Sequence, residues 1–162
     1  MLSAVKNYLL RQEIKSTSKI KKQFVEWDRI QSAAILAGSG QYSIVKDFIK
    51  QSGKDMDIII FNDDKTSKNN DCYLSLNKKD FNFFDLPKPK ISQKIKNKTY
   101  DLLISTDFQN RAAMKTLTGL FPAKCKLGPE NAAYKDFFDI NIQSSEPEFL
   151  KQAKKYLMMI KS

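Results

Sequence analysis

Apolar residues along this chain gather in short branched runs that break off into polar turns and resume at helical spacing. Ala33-Ala34-Ile35-Leu36-Ala37 stops at Gly38-Ser39-Gly40, and Tyr100-Asp101-Leu102-Leu103-Ile104 stops at Ser105-Thr106-Asp107. Continuous apolar runs of this length suit strands buried on both faces, the signature of a parallel sheet covered by helices. The first run predicts a strand over 32–37 that leads into a helix near 41–52. In that helix Ile44, Val45, Phe48 and Ile49 recur on a face turned to the sheet, and Gly53 ends it. Asp57-Ile58-Ile59-Ile60-Phe61 predicts the next buried strand, closed by Asn62-Asp63-Asp64, and residues 65–71 read as a solvated loop.

Downstream, Tyr73 to Leu76 predicts a short strand, with Phe81, Phe83 and Phe84 sealing the domain around it. Pro87 and Pro89 delimit a basic helix or loop reaching Asn97, before the strand at 101–105. A helix over roughly 109–118 offers Ala112, Ala113 and Leu117 for packing and ends at Gly119. Lys124–Leu127 and Phe137–Ile142 predict later strands on either side of a Gly128-Pro129 turn. Ser145-Glu146-Pro147-Glu148 has capping-box spacing, and Phe149, Ala153, Tyr156, Leu157 and Ile160 make the closing helix amphipathic. At the opening, Leu2, Val5 and Leu9, with Tyr8 beside them, form a stripe on a helix over 2–14 that extends toward Phe24. The stripe either docks on the domain or lies on a membrane or partner. Together these elements predict one α/β domain over 1–162, a compact three-layer Rossmann-like fold with a mostly parallel sheet and amphipathic terminal helices. Residues 1–24 form its basic helical N-terminal segment, and the strand order is not encoded in the pattern.

Composition narrows the class. With 162 residues and 41% hydrophobic content the chain can bury a core, and no apolar stretch reaches membrane-spanning length. The first residues lack the apolar core of a secretion signal, so the expected location is cytoplasmic, without integral membrane insertion. Cys72 and Cys125 are too few and too far apart for a disulfide framework and read as ordinary thiols. Histidine is absent, which excludes a Ser-His-Asp triad, a Cys-His pair and the histidine-containing zinc sites from this chain. No compact Asp/Glu pattern compensates. No catalytic residue, metal ligand or cofactor is therefore assigned.

Charge changes the picture most. Twenty-eight basic residues against eighteen acidic ones give +10, favouring an anionic partner. Lys6, Arg11, Lys15, Lys19, Lys21, Lys22 and Arg29 crowd the first thirty residues, and Lys88, Lys90, Lys94, Lys96 and Lys98 follow one another without an acid between Pro87 and Tyr100. If the clusters share a face, Lys6, Arg11, Lys15, Lys21, Lys22, Lys88, Lys94 and Lys96 make the contacts of a non-enzymatic interaction module whose partner is RNA or an acidic protein. A lysine-rich solvated surface accounts for the same charge. Aromatics such as Tyr100 and Phe108 could stack on bases, although their apolar surroundings favour the core.

The second candidate is the pair of strand-end turns. Ser39, Gly40 and Gln41 at the start of one helix, with Thr106 and Asp107 after the other strand, would face one crevice if the strands are neighbours, and could bind a small phosphorylated ligand. The turn lacks GxGxxG and GxxxxGK[ST], and a helix cap accounts for the same residues without a ligand. The run Lys98-Thr99-Tyr100-Asp101-Leu102-Leu103-Ile104-Ser105, followed by Ala123-Lys124-Cys125-Lys126-Leu127-Gly128 and Phe138-Asp139-Ile140-Asn141-Ile142, resembles a family of small proteins from Bacteroidetes and Flavobacteria. That resemblance covers most of the chain and implies no activity. The same layout is similar to the N-terminal α/β domain of heptosyltransferase-like enzymes, which implies, as the alternative function, a phosphorylated-ligand enzyme of glycosyltransferase ancestry.

Overall fold

The computed structural model describes residues 1–17, 20–63, 71–130 and 132–161. An N-terminal helix α1 (Leu2–Thr17) precedes β1 (Ala33–Gly38), α2 (Tyr42–Ser52), β2 (Asp57–Asn62), β3 (Leu74–Asn77) and α3 (Pro89–Lys96). Then come β4 (Tyr100–Ser105), α4 (Ala112–Leu120), β5 (Ala123–Pro129), β6 (Ile140–Ile142) and α5 (Phe149–Met159). The strands form a six-stranded sheet in the order β3-β2-β1-β4-β5-β6, and every pairing is parallel. This is a Rossmann-like three-layer α/β fold, and the strand order reverses between β1 and β4.

The branched runs build the sheet because alternate residues are buried on opposite faces. Ile35, Ile58, Ile60 and Ile104 pack under α2 and α5, together with Trp27. Leu36, Ile59 and Leu103 pack under α3 and α4, and α1 adds Leu10 to that core. Each fully buried Ile or Leu contributes about 1.5–3 kcal/mol of transfer free energy. Gly53 ends α2 with φ 68°, a conformation that costs a side-chain-bearing residue strain, and Pro89 opens α3 at the position where its missing N–H costs nothing.

Several expectations are corrected. The opening helix stops at Thr17, and residues 20–24 carry no helix: the Gln23 amide donates to the Lys124 carbonyl at 3.0 Å, which carries the chain past the start of β5 toward Trp27. Its buried face is Leu10 with Ile14, so Leu2, Val5 and Tyr8 stay exposed. Ile44 is 55% exposed, since only Val45 and Phe48 of α2 are fully turned inward. Phe81 packs edge-on against Phe61, but Phe83 is 71% exposed and seals nothing.

Gly119 lies inside α4, where a Cβ would come within 2.6 Å of Ile14 Cδ1; its bareness seats α1 on α4. Gly128 and Pro129 extend β5 and do not form a turn, and Gly128 admits the Phe138 ring. The last strand is shorter than expected, Phe137 falling in a 3-10 turn before it. No capping box forms before α5: Glu148 takes the cap position without a side-chain hydrogen bond, and Glu146 turns to Gln41. Lys19, Asp64 and residues 65–70 of the expected loop lie outside the described residues.

One buried cation belongs to the architecture. Lys126 on β5 turns its amine under the end of α4 and donates to the carbonyls of Thr118 at 2.7 Å and Gly119 at 3.0 Å. Burial, helped by the nearby Lys22 charge and opposed by Asp139, holds its pKa down to about 7.

Candidate functional site

Parallel pairing of β1 with β4, with Leu36 opposite Ser105, places the turns that follow them side by side at the point where the strand order reverses. In open α/β sheets the crevice at this point is where ligands bind. Here its polar groups are turned on one another. The Thr106 amide donates to the Leu36 carbonyl at 3.0 Å, and its hydroxyl donates to Gln41 Oε1 at 2.7 Å. Gln41 Oε1 also accepts from the Gly38 amide at 3.2 Å, while Nε2 donates to the Thr106 carbonyl at 3.0 Å and to Glu146 at 3.1 Å. Gln41 thus fastens the end of β1 to the end of β4, and the Gly38 N–H that could have met a phosphate is taken up by it.

Asp107 is fully buried behind this knot. Its carboxylate accepts from the amides of Gln109 and Arg111 at 3.1 Å each, from Arg111 Nε at 3.4 Å and from the Tyr134 hydroxyl at 2.6 Å. Burial, and then the Asp107 charge, push the Tyr134 hydroxyl well above the ordinary tyrosine range, so it stays protonated and donates. Asn110, at φ 54°, makes the turn into α4, and its side-chain oxygen accepts from the Ala133 amide at 2.7 Å, which brings Tyr134 within reach. Arg111 extends its other arm to Asp63 at 2.6 Å and lies so close over Gly38 that a Cβ there would be 2.4 Å from its Nη2. These contacts make Asp107 an anchor for the α4 turn and leave it no lone pair directed at solvent.

Of the residues singled out from the sequence, Gly40, Gln41 and Thr106 meet in one hollow of about 230 Å³, which Glu146 and Phe149 also line. Ser39 and Asp107 are not part of its lining. Arg111 and Tyr134 went unnoticed in the sequence because the bonds from Arg111 to Asp63 and from Tyr134 to Asp107 are long-range. Tyr134 reaches Asp107 across 27 residues with no local pattern to announce it.

The basic candidates fall mainly on one layer. α1 packs along α4 and meets α3 where Lys96 approaches Glu13 at 3.9 Å. Lys6 is tied to Asp85 at 2.8 Å, and Lys22, at the strand N-terminal edge, to Asp139 at 3.2 Å. Arg11, Lys15, Lys21, Lys88 and Lys94 are exposed and make no ion pair among the described residues. Tyr100 and Phe108 are core residues: Tyr100 is buried with its hydroxyl on Asp57, and Phe108 packs edge-on against Phe149.

Neither Cys72 nor Cys125 forms a disulfide among the described residues, and burial pushes the Cys125 thiol up to about 12, away from thiolate chemistry. Among the described residues no three Cys, Asp or Glu side chains gather as a metal site, and no helix is long and apolar enough to cross a membrane.

The chain matches the sequence profile of a family of unknown function, DUF6913, over residues 5–160, and it belongs to that family. No curated protein and no solved structure matches it.

Proposed function

We propose that the chain is a non-catalytic interaction module whose α1–α3 layer binds single-stranded RNA. The observation that carries this reading is the Lys96–Glu13 contact, which sets α3 beside α1 so that the cations of both helices belong to one layer. Between the two helices runs a groove of about 370 Å³ that Glu13, Pro89, Gln93 and Lys96 help to line. Arg11 and Lys15 on α1, with Lys88 and Lys94 at the start and in the body of α3, are exposed cations without an ion-pair partner among the described residues, as phosphate contacts require. Tyr8, 62% exposed on α1, offers a ring on which a base can stack. A second reading, a phosphorylated-ligand enzyme of glycosyltransferase ancestry, draws on the hollow lined by Gly40, Gln41 and Thr106. Its carboxylate, Glu146, is bonded to Gln41 and Asp107 stands behind it, which supports binding there and not acid–base catalysis.

Fluorescence anisotropy with a labelled oligouridylate tests the RNA reading. Affinity falls steeply between about 50 and 200 mM salt, and Arg11→Glu with Lys94→Glu lowers it by roughly tenfold or more. Tighter binding of polyglutamate than of RNA assigns the layer to an acidic protein, and binding of neither polyanion at low salt overturns the proposal.

A further inference from the structure

We propose that a separate cavity beside Arg111 binds a small phosphorylated molecule with a flat or apolar body. The cavity, about 500 Å³, opens between the end of β2, the segment after β3 and the start of α4, with Phe61, Asp63, Lys78, Phe81, Arg111 and Ala112 among its lining. That volume falls within the range that holds metabolite-sized ligands. It draws on none of the lysines assigned to RNA.

Arg111 gives the cavity a fixed anion receptor. Its guanidinium is pinned from behind by buried Asp107 and pressed on Gly38, so its geometry is set before any ligand arrives. Its outer arm is held by Asp63, whose side chain is 57% exposed, and an ion pair of that kind contributes little and exchanges readily. A phosphate oxygen can take the place of the Asp63 carboxylate on the same guanidinium nitrogen. Lys78 also lines the cavity, is exposed and makes no ion pair among the described residues. Ala112 and Ala113 expose the first turn of α4, whose unbonded amides and dipole favour negative charge. The remaining acid, Asp85, is neutralised by Lys6 at 2.8 Å. Phe61 and Phe81, edge to face with centroids 5.9 Å apart, give an apolar wall on which a ring can rest. Asp63 thus acts as an internal stand-in for the ligand's anion, and binding is exchange at Arg111.

Titration calorimetry of the full chain with phenyl phosphate tests this, with inorganic phosphate and phenol as the two halves of the probe. Phenyl phosphate binds more tightly than either half. Asp63→Asn removes the competitor at an exposed position and tightens phenyl phosphate by roughly tenfold, while Lys78→Ala weakens it by a similar factor. Both variants keep the wild-type melting temperature and RNA affinity. No heat with phenyl phosphate for either the wild type or Asp63→Asn overturns the site. So does phenyl phosphate binding that ignores Asp63→Asn and Lys78→Ala but is lost in Arg11→Glu with Lys94→Glu, because it places the phosphate on the α1–α3 layer.

Discussion

The crevice between β1 and β4 and the outer face of α1 and α3 are both rich in polar side chains, yet they direct them oppositely. In the crevice Gln41, Thr106, Asp107 and Arg111 bond to one another and to backbone, and Asp107 has no exposed surface. On the helical face Arg11, Lys15, Lys88 and Lys94 extend into solvent with no internal ion pair among the described residues. A polar residue at a strand end can thus be a fastener where a reagent was expected, and the two are told apart by whether its bonding capacity is already used. Substitutions in the first region act on stability, and substitutions in the second act on binding.

The largest effect belongs to Asp107→Asn. It leaves the part-buried Arg111 without its buried counter-charge and weakens the acceptor for Tyr134, at a cost of about 3–5 kcal/mol in urea unfolding. A loss below about 1 kcal/mol would free Asp107 from its structural role and return it to the list of chemical candidates.

Next comes Lys126, whose amine sheds its proton near 7 when folded but keeps it up to 10.5 when unfolded. The unfolded chain therefore binds more protons in that interval, and stability rises with pH. Between about pH 7 and 8, below the midpoint at which Cys125 titrates in the unfolded chain, the gain is about 1 kcal/mol. Asp139 and Lys22 are the charges that face the amine. Lys126→Met removes the slope; an unchanged slope in that variant assigns it elsewhere.

Gly119→Ala sharpens the comparison at the seam between the regions. The added methyl meets Ile14 Cδ1 at 2.6 Å, an overpacking of about 1–3 kcal/mol that the better helix propensity of alanine offsets by about 1 kcal/mol. The expected net loss is about 1 kcal/mol, with faster hydrogen exchange in α1 than in α2; equal exchange in both would show that Ile14 simply swings aside. The smallest change is in the doubly reversed Arg11→Glu, Lys94→Glu chain, whose unfolding stays within about 0.5 kcal/mol of wild type while RNA affinity collapses. Loss of fold in that chain would make those cations structural after all.

Legibility followed the range of the forces involved. β1, β2, β4 and α2 were readable because their runs and the Gly53 stop are local, as was the amphipathic buried set Phe149, Ala153 and Leu157 of α5. The docked face of α1 was not, since its helix carries two apolar stripes and only contact with α4 selects Leu10 and Ile14 over Leu2 and Val5. Gly119 looked like a stop signal, because a glycine that admits a neighbouring helix and one that ends its own are identical in one dimension. Ser145-Glu146-Pro147-Glu148 carried a cap's spacing, but the helix starts at Phe149 with Glu148 itself at the cap position, so Ser145 falls three residues too early. Of the candidate ligand residues, Gly40, Gln41 and Thr106 were brought to one hollow by the β1–β4 pairing, whereas Arg111 offered no sequence sign at all.

The seating of α1 on α4 also sets an order of events during synthesis. α1 is among the first parts of the domain to be made, but the Gly119 notch that receives Ile14 is translated about a hundred residues later, which at ribosomal speeds leaves the helix unhoused for roughly 5–20 s. Throughout that interval Leu10 and Ile14 are uncovered alongside Lys6, Arg11 and Lys15, so the nascent chain presents a cationic, apolar surface until α4 is made.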